Sequence, residues 1–350
     1  MTLFAGLDVG GKKTAISVVD RAGKIVWRGV IETHPTRIVD ALRRWQDRLE
    51  RVGLESGPFT PHLYRALAAM GYPMVCMDAR RTADAIKSRR IKTDKTDAYA
   101  LAEMLRTGWF TKVHVKSVDT HRLKTLLGAR DQLVKVKRSL GNQVRGVLRP
   151  FGIQLPSRVG TKRFAVAAHQ ATQDDPILSA SIAALLEALV AIEAQLEKLD
   201  GELKELARRH EVAWRLMSIP GVGPLTAMAF IAAIEDVRRF ARMRDIGAYL
   251  GLTPKRYQSG DTDVPLGISK QGDHMARHYL YEAANAMLTT VKKRFGLRSW
   301  GLQLMKTHGA KKARVALARK LAVIMGRMWK EGTHFEARPA AAPPGALLAQ

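Results

Sequence analysis

One cysteine, Cys76, stands among 350 residues. That excludes a disulfide framework and any zinc site built on thiolates. Acidic residues are also scarce: 32 Asp and Glu face 58 Lys and Arg, a formal charge of +26 at pH 7. An excess of this size disfavours an enzyme working alone on a small anionic metabolite and points to a polyanionic partner. No run reaches the roughly 18 uninterrupted apolar residues that a membrane span needs. Asp8 breaks the first hydrophobic stretch, where a signal peptide would continue. Hydrophobic residues still make up 46% of the chain, enough for a core, so wholesale disorder is excluded. A soluble, cytoplasmic protein without a membrane partner is expected. At about 100–200 residues per domain, it should hold two or three units.

The positive charge is unevenly spread. Ala79 to Ala165 carries 21 basic and 6 acidic residues, and Lys255 to Lys330 carries 16 and 4. Between them, Val166 to Glu211 has 4 basic and 9 acidic residues. Two basic blocks thus flank an acidic insert, a pattern better explained by nucleic acid than by solvated surface alone.

The N-terminal third reads as α/β. Leu3 to Leu7 is a short apolar run ending at Asp8. Strands over Thr14 to Val19 and Lys24 to Ile31 follow through a Gly10-Gly11 turn, making an antiparallel meander. Helical spacing over Ile38 to Leu49 precedes a brief strand, Val52 to Leu54, that ends at Glu55. A helix over Pro61 to Met70 and a buried strand over Pro73 to Met77 complete the order β-β-β-α-β-α-β, the layout of the ribonuclease-H-like fold. Carboxylates at strand ends sit where open sheets build their sites. Asp94 and Asp97 lie three apart at a helix start and can share one side. With Asp8 and Glu55 they offer four hard oxygen donors suited to a pair of divalent cations that would clamp a phosphodiester. A plainer reading makes Asp94 an N-cap and Asp97 a partner of the helix dipole.

Three segments, Gly6-Leu-Asp-Val-Gly10, Gly53-Leu-Glu-Ser-Gly57 and Lys92-Thr-Asp-Lys-Thr-Asp-Ala98, resemble the motifs of the DEDD transposases of bacterial insertion sequences. That family includes site-specific DNA invertases and bridge-RNA-guided recombinases. The resemblance runs from about Leu3 to Lys330. It implies a RuvC-like N-terminal domain using Mg²⁺ (or Mn²⁺) on Asp8, Glu55, Asp94 and Asp97. It also implies donor and target DNA as substrates, a non-coding guide RNA, and a homodimer or homotetramer at the bacterial nucleoid.

Downstream, Leu123 to Leu148 reads as a basic helix ending before Pro150. Ile182, Leu185, Leu189, Ile192, Leu196, Leu199, Leu203 and Leu206 recur three and four apart, as in a coiled-coil seam or an amphipathic core helix. An antiparallel hairpin of the two satisfies both readings. Leu216 to Ala227 matches a helix-hairpin-helix turn, in which Gly221 and Gly223 would let backbone approach a phosphate; an ordinary glycine-rich link is the alternative. Further on come Gly251-Leu-Thr-Pro-Lys-Arg-Tyr-Gln-Ser-Gly260, then Leu266 to Gly272, and a helix from Asp273 to Leu288. Most loop serines merely cap turns, and sequence alone leaves Ser259 and Ser269 as rivals. By the resemblance the nucleophilic serine is Ser259, with the two halves of the chain forming one composite site. Lys135, Lys137, Arg138, Lys255, Arg256, Lys270 and Arg277 are the expected phosphate contacts.

The expected organisation is a RuvC-like domain over 1–115, a helical hairpin over 116–211, a mostly helical transposase domain over 212–332 and a disordered tail over 333–350. Three other readings compete with a recombinase. A junction endonuclease would use the same acids with water as nucleophile, an actin-like kinase would use the Asp8 to Lys13 turn, and a scaffold would need no catalysis.

Overall fold

A computed structural model describes residues 1–87, 93–259 and 262–337. The chain divides into two compact units, Met1–Ser117 and Val118–Gln350.

In the first unit, near-continuous buried runs build β1 (Leu3–Val9) and β2 (Lys13–Asp20), and an alternating, half-exposed run builds the edge strand β3 (Ile25–Glu32). After α1 (Pro35–Leu42) comes β4 (Leu49–Glu55); α2 (Thr60–Ala69) leads to β5 (Met74–Met77). Two further helices close the unit, α3 (Ala79–Lys87) and α4 (Asp94–Thr107). The sheet order is β3-β2-β1-β4-β5. β2 is antiparallel to both β1 and β3, whereas β1, β4 and β5 run parallel. This is the mixed α/β layout expected from the sequence. The helix expected to run to Leu49 ends at Leu42, and a 3₁₀ segment over Arg43–Arg48 replaces its second half. Trp45 there is buried against the sheet, so packing of one aromatic overrides helical spacing.

Both faces of the sheet are covered, as a parallel pair requires. Leu3, Ala5 and Leu7 face Ile38 and Leu42 of α1 and Leu63 and Leu67 of α2. Phe4 points the opposite way, into Leu101 and Leu105 of α4.

The second unit is mostly helical. Helix α5 (Val118–Leu148), α6 (Thr161–Gln170) and α7 (Pro176–Arg209) come first. Leu127 of α5 packs with Leu203 of α7, while Val144 and Leu148 pack with Ile182, Leu186 and Leu189. The two long helices are therefore antiparallel. Two ion pairs follow the same register, Arg130 with Asp200 at 2.6 Å and Lys137 with Glu193. Among the described residues α7 is the one helix long and apolar enough to cross a membrane by length and composition. Glu187 and Glu193 interrupt its apolar run, and its buried positions belong to these helix–helix cores.

Next come α8 (Glu211–Leu216), α9 (Pro224–Ile234) and α10 (Asp245–Tyr249). From Thr226 to Ile234 every residue of α9 is buried, as befits a helix apolar on all sides. A hairpin of β6 (Pro254–Ser259) and β7 (Thr262–Ile268) follows, then α11 (His274–Thr289), α12 (Gly296–His308) and α13 (Ala310–Glu331). No strand was expected here. Pro254 and Pro265 argue against strands, but a two-stranded sheet is all edge and tolerates them.

Candidate active site

Leu7 of β1 is in register with Leu54 of β4 on parallel strands. Asp8 and Glu55 are the next residue on each, at the carboxyl ends of adjacent strands, and both are half-buried. Side chains alternate along a strand, so Asp8 shares a face with Phe4 and Gly6, and Glu55 with Gly53. That face belongs to α4. A Cβ on Gly6 would lie 2.2 Å from the Ala98 carbonyl oxygen and 2.4 Å from the Ala102 amide nitrogen. One on Gly53 would lie 2.6 Å from the Leu105 side chain. Only glycine allows α4 this close.

The contacts move backward along α4 as β1 moves forward: Phe4 meets Leu101 and Leu105, and Gly6 meets Ala98 and Ala102. The next position on that face is Asp8, and the next turn of the helix carries Asp94 and Asp97. Asp94 and Asp97 thus lie in the first turn of the helix that covers the sheet face on which Asp8 and Glu55 end their strands. Thr93, not Asp94, caps α4: its hydroxyl accepts from the Thr96 amide at 3.3 Å, and the Thr96 hydroxyl accepts from the Thr93 amide at 2.9 Å. That reciprocal capping box corrects the cap reading and leaves Asp94 exposed and Asp97 half-buried in the first turn. The sequence shows Thr-x-x-Thr there, a signal overlooked beside the two aspartates.

The loop after β4 is pinned as well. The Thr60 hydroxyl donates to the Glu55 carbonyl and accepts from the Gly57 amide at 3.0 Å. The Ser56 amide reaches the Met77 carbonyl of β5 at 2.9 Å. Beside it, burial and the nearby Asp78 carboxylate push the Cys76 thiol up to about 11. At neutral pH it stays protonated and is no nucleophile. Among the described residues, no three or more His, Cys, Asp or Glu side chains stand together as a ready metal cluster. The donor set at this end is all carboxylate, which fits a hard divalent cation rather than a thiophilic one.

In the second unit, Ser259 and Thr262 form the last register pair of the hairpin, and Pro254 and Ile268 the first. The Ser269 amide bonds the Thr253 carbonyl at 2.8 Å just beyond that first pair. Ser259 and Ser269 therefore lie at opposite ends of the arm. Gly260, Lys92 and the tail from 338 onward lie outside the described residues, as do the side chains of Ser259 and Arg256. Lys255 and Lys270 are exposed.

Arg277 is tied to the backbone around the hairpin. Its guanidinium donates to the Leu250 carbonyl at 3.0 Å and the Gln271 carbonyl at 2.6 Å, fixing the base of the arm. Burial pulls its pKa below the usual guanidinium value, and Asp273 opposes that shift. Gly221 has a packing reason too: at φ 95° its Cβ would lie 2.9 Å from the Ala283 carbonyl of α11. Gly223, the N-cap of α9, faces open space. On α5, Lys135 pairs with Asp131 at 2.8 Å and Lys137 with Glu193. Arg138 is exposed.

A family model described as the transposase IS116/IS110/IS902 family matches residues 213–298, and a model of DEDD transposases of the IS110 type matches residues 5–152. The transposase for insertion sequence element IS1111A of Coxiella burnetii is 32% identical over 327 residues, 91% of this chain and 87% of that protein. The chain belongs to the IS110-type transposase family. A second member, the transposase for insertion sequence element IS1328 of Yersinia enterocolitica, is 27% identical over 81% of this chain and 85% of its own. Among solved structures, T. thermophilus RuvC in complex with a Holliday junction substrate aligns with 32% of this chain and all of its own, at 16% identity and a TM-score of 0.26. Family membership rests on the sequence matches, not on that likeness.

Proposed function

We propose that this chain is the transposase of an insertion sequence, cutting and rejoining DNA through a phosphoserine formed on Ser259. What supports this reading is that Asp8 and Glu55 end adjacent parallel strands under α4, whose first turn carries Asp94 and Asp97 and whose close approach Gly6 and Gly53 admit. In this reading the four carboxylates hold Mg²⁺ or Mn²⁺, which when bound would neutralise charge on the phosphate and polarise it. The seryl hydroxyl gives up its proton and forms an O–P ester as the P–O bond to the departing strand breaks, and the departing oxygen leaves as a hydroxyl. One ester replaces another, so attack by a second DNA hydroxyl rejoins the strand without outside energy and releases the serine. Lys255, Arg256 and Lys270 serve as phosphate contacts at the arm. The α8–α9 turn acts as a helix-hairpin-helix through Gly223, α5 and α7 form a coiled coil that also joins protomers, and a non-coding RNA selects the DNA. The family resemblance supports these finer points.

The choice of Ser259 over Ser269 follows the family resemblance, and their places at opposite ends of the hairpin let single substitutions tell them apart. On a denaturing gel with labelled DNA and Mg²⁺, the parent protein should form a covalent adduct. Ser259→Ala should abolish it while binding DNA normally, Ser269→Ala should retain it, and Asp94→Ala should lose cleavage at least a hundred-fold by order of magnitude. Cleavage without any adduct would make water the attacker and the protein a junction nuclease; an adduct surviving in Ser259→Ala would move the nucleophile.

A further inference from the structure

The hairpin, α12 and α13 enclose a cleft of about 880 Å³ of which the reaction above draws on Lys270 alone. Its walls are apolar: Leu252 and Ile268 on the hairpin side, Trp300 of α12, and Val315 and Val323 of α13. Its charged lining is wholly cationic, with Lys270, Lys311, Lys312, Arg319 and Lys320 and no Asp or Glu among the described residues. The Lys320 ammonium lies 4.3 Å from the centre of the Trp300 ring. A volume of this size lies within the range of small-ligand sites.

We infer that this cleft takes an unpaired nucleotide of single-stranded DNA, its base against Trp300 and its phosphates on the surrounding lysines and Arg319. The charge selects a polyanion, and the apolar walls select one that also carries a flat apolar face. Duplex DNA meets the first requirement only, because its bases are stacked inside. An unpaired nucleotide meets both. Lys320 already sits on the indole, a contact weaker than base stacking. An entering base would displace its ammonium, which can then meet the phosphate of the same nucleotide. The inference rests on the reading of the protein as a DNA-acting enzyme, since strand cutting and exchange expose unpaired bases.

The test uses the full-length protein, a single-stranded DNA of about 15 nucleotides carrying one 2-aminopurine, its duplex, and an RNA of the same sequence. Binding to the single strand should quench 2-aminopurine. Trp300→Leu, which keeps apolar bulk without the aromatic face, should lower single-strand affinity about ten-fold and abolish the quench, with duplex affinity changed by less than about two-fold. Trp300→Phe should restore most of the affinity and the quench, which separates lost stacking from lost folding. Equal losses for single strand and duplex, or no loss in Trp300→Leu, would overturn the inference. RNA bound tenfold tighter than DNA would overturn the assignment to DNA. A parent protein that binds duplex but no single strand removes the cleft alone; one that binds no DNA in either form removes the proposed function with it.

Discussion

Gly6 controls more than its size suggests. Asp8 is the next residue on its sheet face, and α4, whose first turn carries Asp94 and Asp97, lies directly on the Gly6 backbone. The neighbours a Cβ would strike are main-chain atoms of Ala98 and Ala102, which cannot swing aside. Gly6→Ala should therefore destabilise the first unit by about 1–3 kcal/mol. It should also depress DNA cleavage beyond what the stability loss explains, because α4 and its two aspartates must shift. Urea unfolding by circular dichroism, paired with cleavage assays well below the melting temperature, separates the two effects. Wild-type cleavage by a folded Gly6→Ala protein would show that the α4 acids tolerate displacement. Asp8 and Glu55 were legible in the sequence because strands that end in an acid announce themselves. The Gly6–α4 approach was not, because a glycine in a strand does not say which backbone comes near.

At the scale of elements, the α5–α7 pairing is held at one point by a half-buried polar cluster. Arg130 bonds the Asp200 carboxylate at 2.6 and 3.4 Å and the Tyr279 hydroxyl of α11 at 3.2 Å. Burial works against the charge on Arg130, and the bonds from Asp200 and Tyr279 offset it, leaving its pKa raised. Asp200→Ala removes the main anion and leaves the guanidinium with a phenol alone. A loss of about 1.5–3 kcal/mol is expected, read from the denaturant midpoint of the full chain. Pairing it with Arg130→Met should recover part of that loss, since an apolar replacement of both partners needs no counter-charge. The long helices themselves were readable from leucines three and four apart. Their antiparallel register was expected only as one way to satisfy two readings, and it is decided by which leucines meet. The β6–β7 hairpin was unreadable because its two prolines forbid strands almost anywhere except an isolated ribbon.

For the whole molecule, the net charge of +26 should make DNA affinity fall linearly on a log–log plot against salt, with a slope reporting the number of phosphates engaged. The cations are not equal. Lys135 and Lys137 are engaged by Asp131 and Glu193, whereas Arg138 is exposed and has no carboxylate partner among the described residues. Arg138→Ala should flatten the slope by about one unit, and Lys137→Ala by less, as fluorescence anisotropy at several salt concentrations would show. Equal effects would mean that the Lys137–Glu193 pair opens on binding. The basic blocks were evident from counting, but which lysines are already neutralised depends on helix register and could not be counted. The cleft between the hairpin and α13 carries this further. Five cations line it with no carboxylate among the described residues, so an anion bound there would favour the folded state. A nucleic acid bound there would then act as a folding ligand by mass action. How well a preparation survives heating and how much nucleic acid it still carries become two readings of one quantity.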